Sequence, residues 1–234
     1  YGLTPGTLDM NPNTKELFGP NKDIVERVAK ELELKVEWVD DIGWGNVTEG
    51  LKSGRYDAFC GQVWADGPRR RNLSLIHPFY YSAIYAFSRK EDRRFDGDLE
   101  KINQPDVKLS AIDGDVTYNI GKQYFSKAGI VALPQTASTA EFFEGVKTRK
   151  ADVGFSDKGT FAAYATANPD YLSFIQDVPP VRVYGEQIGV GEHEVRLKQM
   201  LDGTVQFLID NGEIEKIIRA YKLPGISAAE GFRP

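Results

Sequence analysis

The stretch that decides the fold is SGRYDAFCGQVWADGPRRRNLSLIHPFYY, residues 53–81. Gly54 can end a helix, and a short apolar strand pattern follows at residues 57–60. A Gly-Pro turn then leads into an arginine cluster at residues 69–71, and an aromatic strand pattern after Pro78 closes the segment. Arginine can hold a small carboxylate through two parallel hydrogen bonds when the chain places it at a cleft.

The sequence upstream of this stretch completes an α/β pattern. Asn21 is a plausible helix N-cap, and apolar residues follow it at helical spacing. Residues 35–39 alternate as a strand would, residues 46–52 predict a short helix, and residues 56–61 predict a buried strand. This order predicts α/β architecture with a largely parallel sheet.

The second half of the chain repeats this helix-to-strand pattern. The heptapeptide KSGRYDA at residues 52–58 is echoed by KTRKADV at residues 147–153, and each lies between a helical pattern and an apolar strand. The repeat predicts two similar lobes, each with polar residues at the carboxyl end of a strand, where open α/β sheets bind ligands. Residues 195–221 then predict a helix in two pieces, broken around Asn211 and Gly212.

Composition limits the classes of function. The 234 residues suffice for one large domain or two small lobes, and 41% hydrophobic with 27% charged residues predicts a globular protein. The net charge of −5 argues against a nucleic-acid binder. No apolar run approaches the roughly 20 residues of a membrane-spanning helix. The chain starts at Tyr1 without a methionine, so we expect a mature or trimmed form from which a signal peptide could have been removed.

The residue pattern gives catalysis little support. His77 and His193 lie far apart, and neither a Ser-His-Asp order nor a glycine-rich phosphate motif occurs. Cys60 is the only cysteine, which excludes an intrachain disulfide, and its apolar surroundings predict a buried thiol. We therefore predict that the protein is not an enzyme and uses no metal and no cofactor.

Four positions outside the arginine cluster are candidates for a binding site, and each has a purely structural alternative. Asp157 follows a strand and could accept hydrogen bonds from an ammonium group or cap the next helix. Asp115, after Gly114, has the same two interpretations. Trp44, between two glycines, could form a flat wall for a ligand or pack in a core. Trp64 could line a ligand or a contact between lobes.

Taken in order, these and further motifs resemble those of a known family. The motifs, all in the family's order and spacing, are FGPNKDI at 18–24, GRYDA at 54–58, Arg69 nine residues before Pro78, PFYY at 78–81, DVGFSD at 152–157 and DNGEIEKI at 210–217. The family is that of the periplasmic-type solute-binding proteins that capture amino acids, family 3 of the bacterial extracellular solute-binding proteins. The resemblance covers nearly the whole chain.

The resemblance implies a type II periplasmic binding fold, with two α/β lobes joined by two crossover strands, residues 85–90 and 187–191. Lobe one would comprise residues 1–88 and 189–234, and lobe two residues 89–188. The ligand would bind in the cleft between the lobes, and hinge closure would present it to the membrane permease of an ABC-type transporter. A monomer in the periplasm or outside the cell is expected, with anchoring to the membrane as an alternative and no nucleic-acid partner.

The resemblance also suggests roles for individual residues. Arg69 matches the position that grips the ligand carboxylate, Asp157 the one that grips its ammonium group, and Trp44 the aromatic wall. The chain departs from the family before the arginine, where Ser or Thr and Gly are usual and this chain has Gly61, Gln62, Val63 and Trp64, with Trp64 in place of a small hydroxyl residue. It departs again at Asp115, which replaces Ser or Thr. A carboxylate at Asp115 would repel a ligand carboxylate, so we expect a ligand with cationic character and an apolar or planar part, such as a basic amino acid or related amine. Asp9 could add a third carboxylate.

Two other functions remain alternatives at this level. A ligand-sensing receptor domain would share the cleft and differ only in what it is fused to. An enzyme similar to cyclohexadienyl dehydratase would need a glutamate three residues beyond Asp157, and Thr160 stands there instead.

Overall fold

The computed structural model describes residues 1–4, 6–39, 47–65, 67–222 and 226–228, and the side chains at positions 62, 68, 69 and 226–228 lie outside that description. The chain forms two compact units. Unit 1 contains Tyr1–Ser82 and Tyr184–Pro234, and unit 2 contains Ala83–Val183.

Strands and helices are interspersed along the chain. The strands are β1 (Asp9–Met10), β2 (Leu17–Phe18), β3 (Ala58–Trp64), β4 (Leu73–Leu75), β5 (Tyr80–Arg89), β6 (Lys108–Ile112), β7 (Gly129–Leu133), β8 (Val153–Asp157), β9 (Leu172–Phe174), β10 (Arg182–Gly191) and β11 (Ile226–Ala228). The helices are α1 (Pro20–Glu31), α2 (Val47–Lys52), α3 (Gly67–Arg70), α4 (Val116–Tyr124), α5 (Thr139–Lys147), α6 (Lys158–Ala167), α7 (Val195–Asp210) and α8 (Glu213–Tyr221), with a 3₁₀ turn at Leu99–Ile102. The chain passes between the units within β5 and β10.

Unit 1 packs helices on a sheet of antiparallel strands. β10 pairs with β3 and β4, and β11 pairs with the first residues of β5. The apolar faces of α1, α7 and α8 meet this sheet in one core, whose fully buried members include Ile24, Val205, Leu208 and Ile214. Because these residues recur every three or four positions, each helix buries one stripe and exposes the other side.

Unit 2 contains the parallel part of the fold. β6 pairs in parallel with β7 and β8, because α4 and α5 carry the chain back between these strands. β8 and β9 pair antiparallel with β5. The predicted largely parallel sheet is therefore correct only around β6, since β5 enters unit 2 in the opposite direction to β8.

Arg89, the last residue of β5, binds that strand to the rest of unit 2 through hydrogen bonds. Arg89 is buried and donates to the carbonyl oxygens of Val146 at 3.0 Å and Ala151 at 2.8 Å. The same guanidinium contacts the carboxylates of Asp92 and Asp152, each at 3.1 Å. The guanidinium thus has both hydrogen-bond and charge partners, which a buried cation requires.

Two local predictions in unit 1 are wrong. The first helix begins at Pro20 after Gly19, and Asn21 lies inside it, buried, where its Oδ1 accepts from the Tyr80 hydroxyl at 2.7 Å. Residues 35–39 form no strand, although the structure describes them. The indole of Trp38 in that segment donates to Glu26 of α1 at 3.2 Å, so this side chain contacts a helix and not a partner strand.

Other predicted elements hold. The long C-terminal helix breaks where predicted, with α7 ending at Asp210 and α8 starting at Glu213, and Gly212 between them has φ +80°. Glycine adopts that left-handed conformation without steric cost. The lobe limits, after residues 88 and 188, stay a prediction, and both positions fall within β5 and β10.

Candidate functional site

Unit 2 places two carboxylates at one edge of its sheet. β6 and β8 are parallel neighbours, so their carboxyl ends point the same way. Asp157 ends β8, and Asp115 follows β6 by three residues. This edge of a parallel sheet is where α/β proteins bind ligands, and the paired strands bring both predicted acidic residues to it.

Asp157 is the N-cap of α6. Its Oδ1 accepts from the backbone N–H of Gly159 at 2.8 Å and of Thr160 at 2.9 Å, and the residue is only 4% exposed. Burial raises the pKa of Asp157, while the hydrogen bonds from Thr160 and Gly159 act to lower it. The structural alternative, a helix cap, is therefore realised. A neighbouring cation would favour the charged form of this carboxyl.

Asp115 caps α4 in the same way and is half-buried. Its Oδ1 accepts from the backbone N–H of Thr117 at 2.9 Å and from the Thr117 hydroxyl at 2.8 Å. Gly114, at φ +75°, makes the turn that leads into this cap. A carboxylate at a helix N-terminus interacts favourably with the helix dipole.

In unit 1, Trp64 ends β3 and is 9% exposed. Its indole stacks on the ring of Tyr184, with centroids 5.5 Å apart and planes 12° from parallel. The indole nitrogen donates to Oε1 of Glu186 at 2.6 Å. Trp64 is thus held on two sides by residues of β10.

Glu186 is the residue that the sequence interpretation missed. It lies on β10 directly opposite Trp64 in the strand register and is fully buried. The same Oε1 that binds the indole accepts a short hydrogen bond from the Ser82 hydroxyl. One signal was available, because residues 184, 186 and 188 share one side of a strand and an acid stands between two hydrophobic residues.

The Glu186 carboxylate also affects the pKa values of two other buried groups, Tyr80 and Cys60. It contributes, after burial, to raising the pKa of Tyr80, and burial is again the main cause of the rise in the pKa of Cys60 to about 12. The Cys60 thiol, predicted to be buried, is buried and stays protonated at neutral pH, which makes it a poor nucleophile. In the part of the chain that the structure describes, no group of three or more His, Cys, Asp or Glu residues could hold a metal ion.

The remaining predicted site residues are only partly placed. Arg69 lies in α3 and Gln62 in β3, and the side chains of both fall outside the described part of the structure. Trp44 lies outside the described residues altogether. Asp9 is half-buried, and its Oδ2 accepts from the backbone N–H of Gly6 at 2.7 Å, so it stabilises the N-terminal loop. The ligand-contact roles of these four residues stay predictions.

The sequence has relatives among known proteins. The family of bacterial extracellular solute-binding proteins, family 3, matches residues 6–224. A probable histidine-binding protein of Campylobacter jejuni subsp. jejuni is 23% identical over 181 residues, 75% of this chain and 66% of that protein. YckB of Bacillus subtilis, a probable ABC transporter extracellular-binding protein, is 24% identical over 173 residues, 71% of this chain and 58% of that protein. The matched stretches span less than two thirds of these relatives' lengths.

A solved structure shares the fold. An ancestral arginine-binding protein bound to arginine superposes with a TM-score of 0.77 at 17% identity, covering 93% of each chain. The α/β fold of the two-lobed type II periplasmic binding class, predicted from the sequence, is thereby confirmed. Across the described residues, no helix combines the length and apolar character needed to span a membrane.

Proposed function

Because the chain belongs to family 3 of the bacterial extracellular solute-binding proteins, we propose that it captures an amino acid or related amine for an ABC-type transporter. The observation that carries the proposal is the family match over residues 6–224. Delivery to a membrane permease, a monomeric state and any attachment to the membrane are part of the same proposal.

The ligand we propose has cationic character. Asp115 and Asp157 set two negative charges at one edge of the unit 2 sheet, which would repel a ligand carboxylate and attract a cation. Two similar proteins support the same class, since one is named a probable histidine-binding protein and one was solved with arginine. A basic amino acid is therefore the first candidate.

Each proposed contact has a chemical task. Asp157 would hold the ammonium group of the ligand, and Arg69 would hold its carboxylate through paired hydrogen bonds. Trp44 and Trp64 would meet the apolar or planar part of the ligand, and Gln62 would add a further polar contact. These assignments rest on the family resemblance and, for Asp157 and Trp64, on the strand ends at which the two residues stand.

The test is a ligand screen followed by one charge-removing substitution. Purified protein, freed of co-purified ligand, is titrated with the common amino acids, methylated basic derivatives and polyamines. A compound that binds the folded state raises its stability by about 2.7 kcal/mol at a hundredfold excess over Kd. Asp157→Asn should weaken binding of the best basic amino acid about 30-fold or more, because the ammonium partner is lost while the amide oxygen still accepts from Gly159 and Thr160.

Asp177→Asn is the matched control. Asp177 is an exposed residue of unit 2 with φ 57°, a conformation that asparagine tolerates, and its substitution should leave the affinity unchanged. The proposal fails if no amino acid or amine stabilises the protein. The assignment of Asp157 fails if Asp157→Asn binds as tightly as the unmodified chain.

The dehydratase alternative gains no support from the site. The position where that enzyme would need an acid holds Thr160, and the backbone N–H of Thr160 donates to Asp157. The relatives reported above are named as binding proteins.

A further inference from the structure

The Trp64 indole is held by two different contacts, a hydrogen bond to Glu186 and a stack on Tyr184. An indole has a single N–H, and in Trp64 that donor binds Oε1 of Glu186 at 2.6 Å. The ring is also stacked within 12° of the Tyr184 plane. Stacking alone defines the plane of the indole weakly, and a hydrogen bond from its single N–H further restricts rotation about the side-chain torsions χ1 and χ2.

We infer that Glu186 is a positioning residue, which fixes the Trp64 indole and so determines the surface that unit 1 offers to the ligand. The inference rests on the proposed function, in which the end of β3 meets the ligand. It adds a residue to that function, Glu186, which no motif identified and which acts only through Trp64.

The position of Glu186 suits this task. It is fully buried, so it is out of reach of a ligand in solution, and the strand register sets it directly opposite Trp64. The Ser82 hydroxyl donates to the same oxygen, so that oxygen is held from β5 as well as through the β10 backbone. Three strands therefore determine where the acceptor of the indole stands.

A chemical class of ligand group follows. Because the indole N–H is occupied by Glu186, Trp64 can offer a ligand only the π-face or the edge of its ring. A planar cation such as a guanidinium, or an apolar group, gains from such a surface. A side-chain carboxylate gains no hydrogen bond from Trp64.

The experiment is a double-mutant cycle on L-arginine binding, measured by calorimetry. Glu186→Leu removes the acceptor, and Trp64→Phe keeps a ring but deletes the N–H. We expect Glu186→Leu alone to weaken L-arginine binding about tenfold or more, and to weaken it less than about twofold when added to Trp64→Phe. Non-additivity of this size identifies residues that act through one another.

Three further measurements separate positioning from general damage. Glu186→Gln retains a carbonyl acceptor and should restore binding to within about threefold. Ile188→Val, a conservative change in the core on the same strand, should leave the affinity unchanged. The near-ultraviolet circular dichroism band that Trp64→Phe removes should also be lost in Glu186→Leu. If Glu186→Leu does not fold, Ser82→Ala replaces it in the cycle. It should weaken L-arginine binding by less than is expected for Glu186→Leu, and again by less when it is added to Trp64→Phe than when it is made alone.

The outcomes distinguish this inference from the proposed function. If the unmodified protein binds no amino acid, the proposed function fails and the inference with it. If it binds L-arginine and Glu186→Leu has no effect, or the same effect with and without the Trp64 indole, only the inference is overturned.

Discussion

The capping carboxylates of unit 2, Asp115 and Asp157, and the buried carboxylate of Glu186 in unit 1 are held in different ways. In unit 2, Asp115 and Asp157 accept hydrogen bonds from backbone N–H groups two or three residues further along the chain. In unit 1, Glu186 accepts from the side chains of Trp64 and Ser82, which lie 122 and 104 residues away in the sequence. The first arrangement needs one turn of helix, and the second needs three strands in register.

The carboxylates thus fall into two kinds, those held by local backbone groups and those held by distant side chains. A capping aspartate is held by backbone N–H groups of the helix that follows it, so its position does not depend on the packing of side chains distant in the sequence. Glu186 instead depends on side chains that must themselves be packed, and they depend on Glu186. We therefore expect substitutions to cost more at Glu186 than at either capping residue.

The largest effect should follow loss of the Glu186 carboxylate. Glu186→Ala leaves the buried N–H of Trp64 and the hydroxyl of Ser82 without this acceptor and opens a cavity, so the free energy of unfolding should fall by about 3 kcal/mol. Glu186→Gln should cost less than half as much because its amide oxygen still accepts. Denaturant unfolding measures both. Equal costs for Glu186→Ala and Asp115→Ala would contradict the comparison.

A smaller effect is expected at the cap of α4. Asp115→Ala removes the acceptor for the Thr117 N–H and should lower the free energy of unfolding by about 1 kcal/mol. Asp115→Asn keeps the acceptor and should recover most of that loss. If the asparagine variant is as unstable as the alanine variant, the charge of Asp115, and not its hydrogen bonds, stabilises the helix.

The smallest expected effect is on the pH dependence of stability, which should have opposite signs for two aspartates. Burial raises the pKa of Asp157, so its stabilising contribution is present below the unfolded pKa and is lost as pH rises through the folded value. The Arg94 guanidinium, helped by Arg89, lowers the pKa of Asp92, whose contribution is present above the unfolded pKa and lost as pH falls through the folded value.

The two residues should therefore give opposite pH dependences. Relative to Asp157→Asn, the unmodified protein should be more stable at pH 4 than at pH 7. Relative to Asp92→Asn, it should be more stable at pH 7 than at pH 4. Unfolding by denaturant at the two pH values measures both differences, and two differences of the same sign would show that Asp157 is not held as the structure indicates.

The elements that the sequence predicted well are those with local causes. The caps at Asp115 and Asp157, the break at Gly212 and the strand-to-helix order of unit 2 all follow from residues within a few positions of one another. Predictions that needed a distant partner succeeded less often. Residues 35–39 alternate correctly for a strand, but Trp38 found Glu26 of α1 instead of a neighbouring strand.

By itself, the sequence determined the family, the α/β fold and the two acidic residues at the edge of the unit 2 sheet, because motif spacing and helix capping are short-range properties. Only the tertiary structure decided that Trp64 stacks on Tyr184 and binds Glu186. Those contacts exist because β3, β5 and β10 meet in one unit. Strand register between segments more than 100 residues apart is set by the packing of the whole unit, so a local pattern can mark Glu186 as unusual but cannot identify Trp64 and Ser82 as its partners.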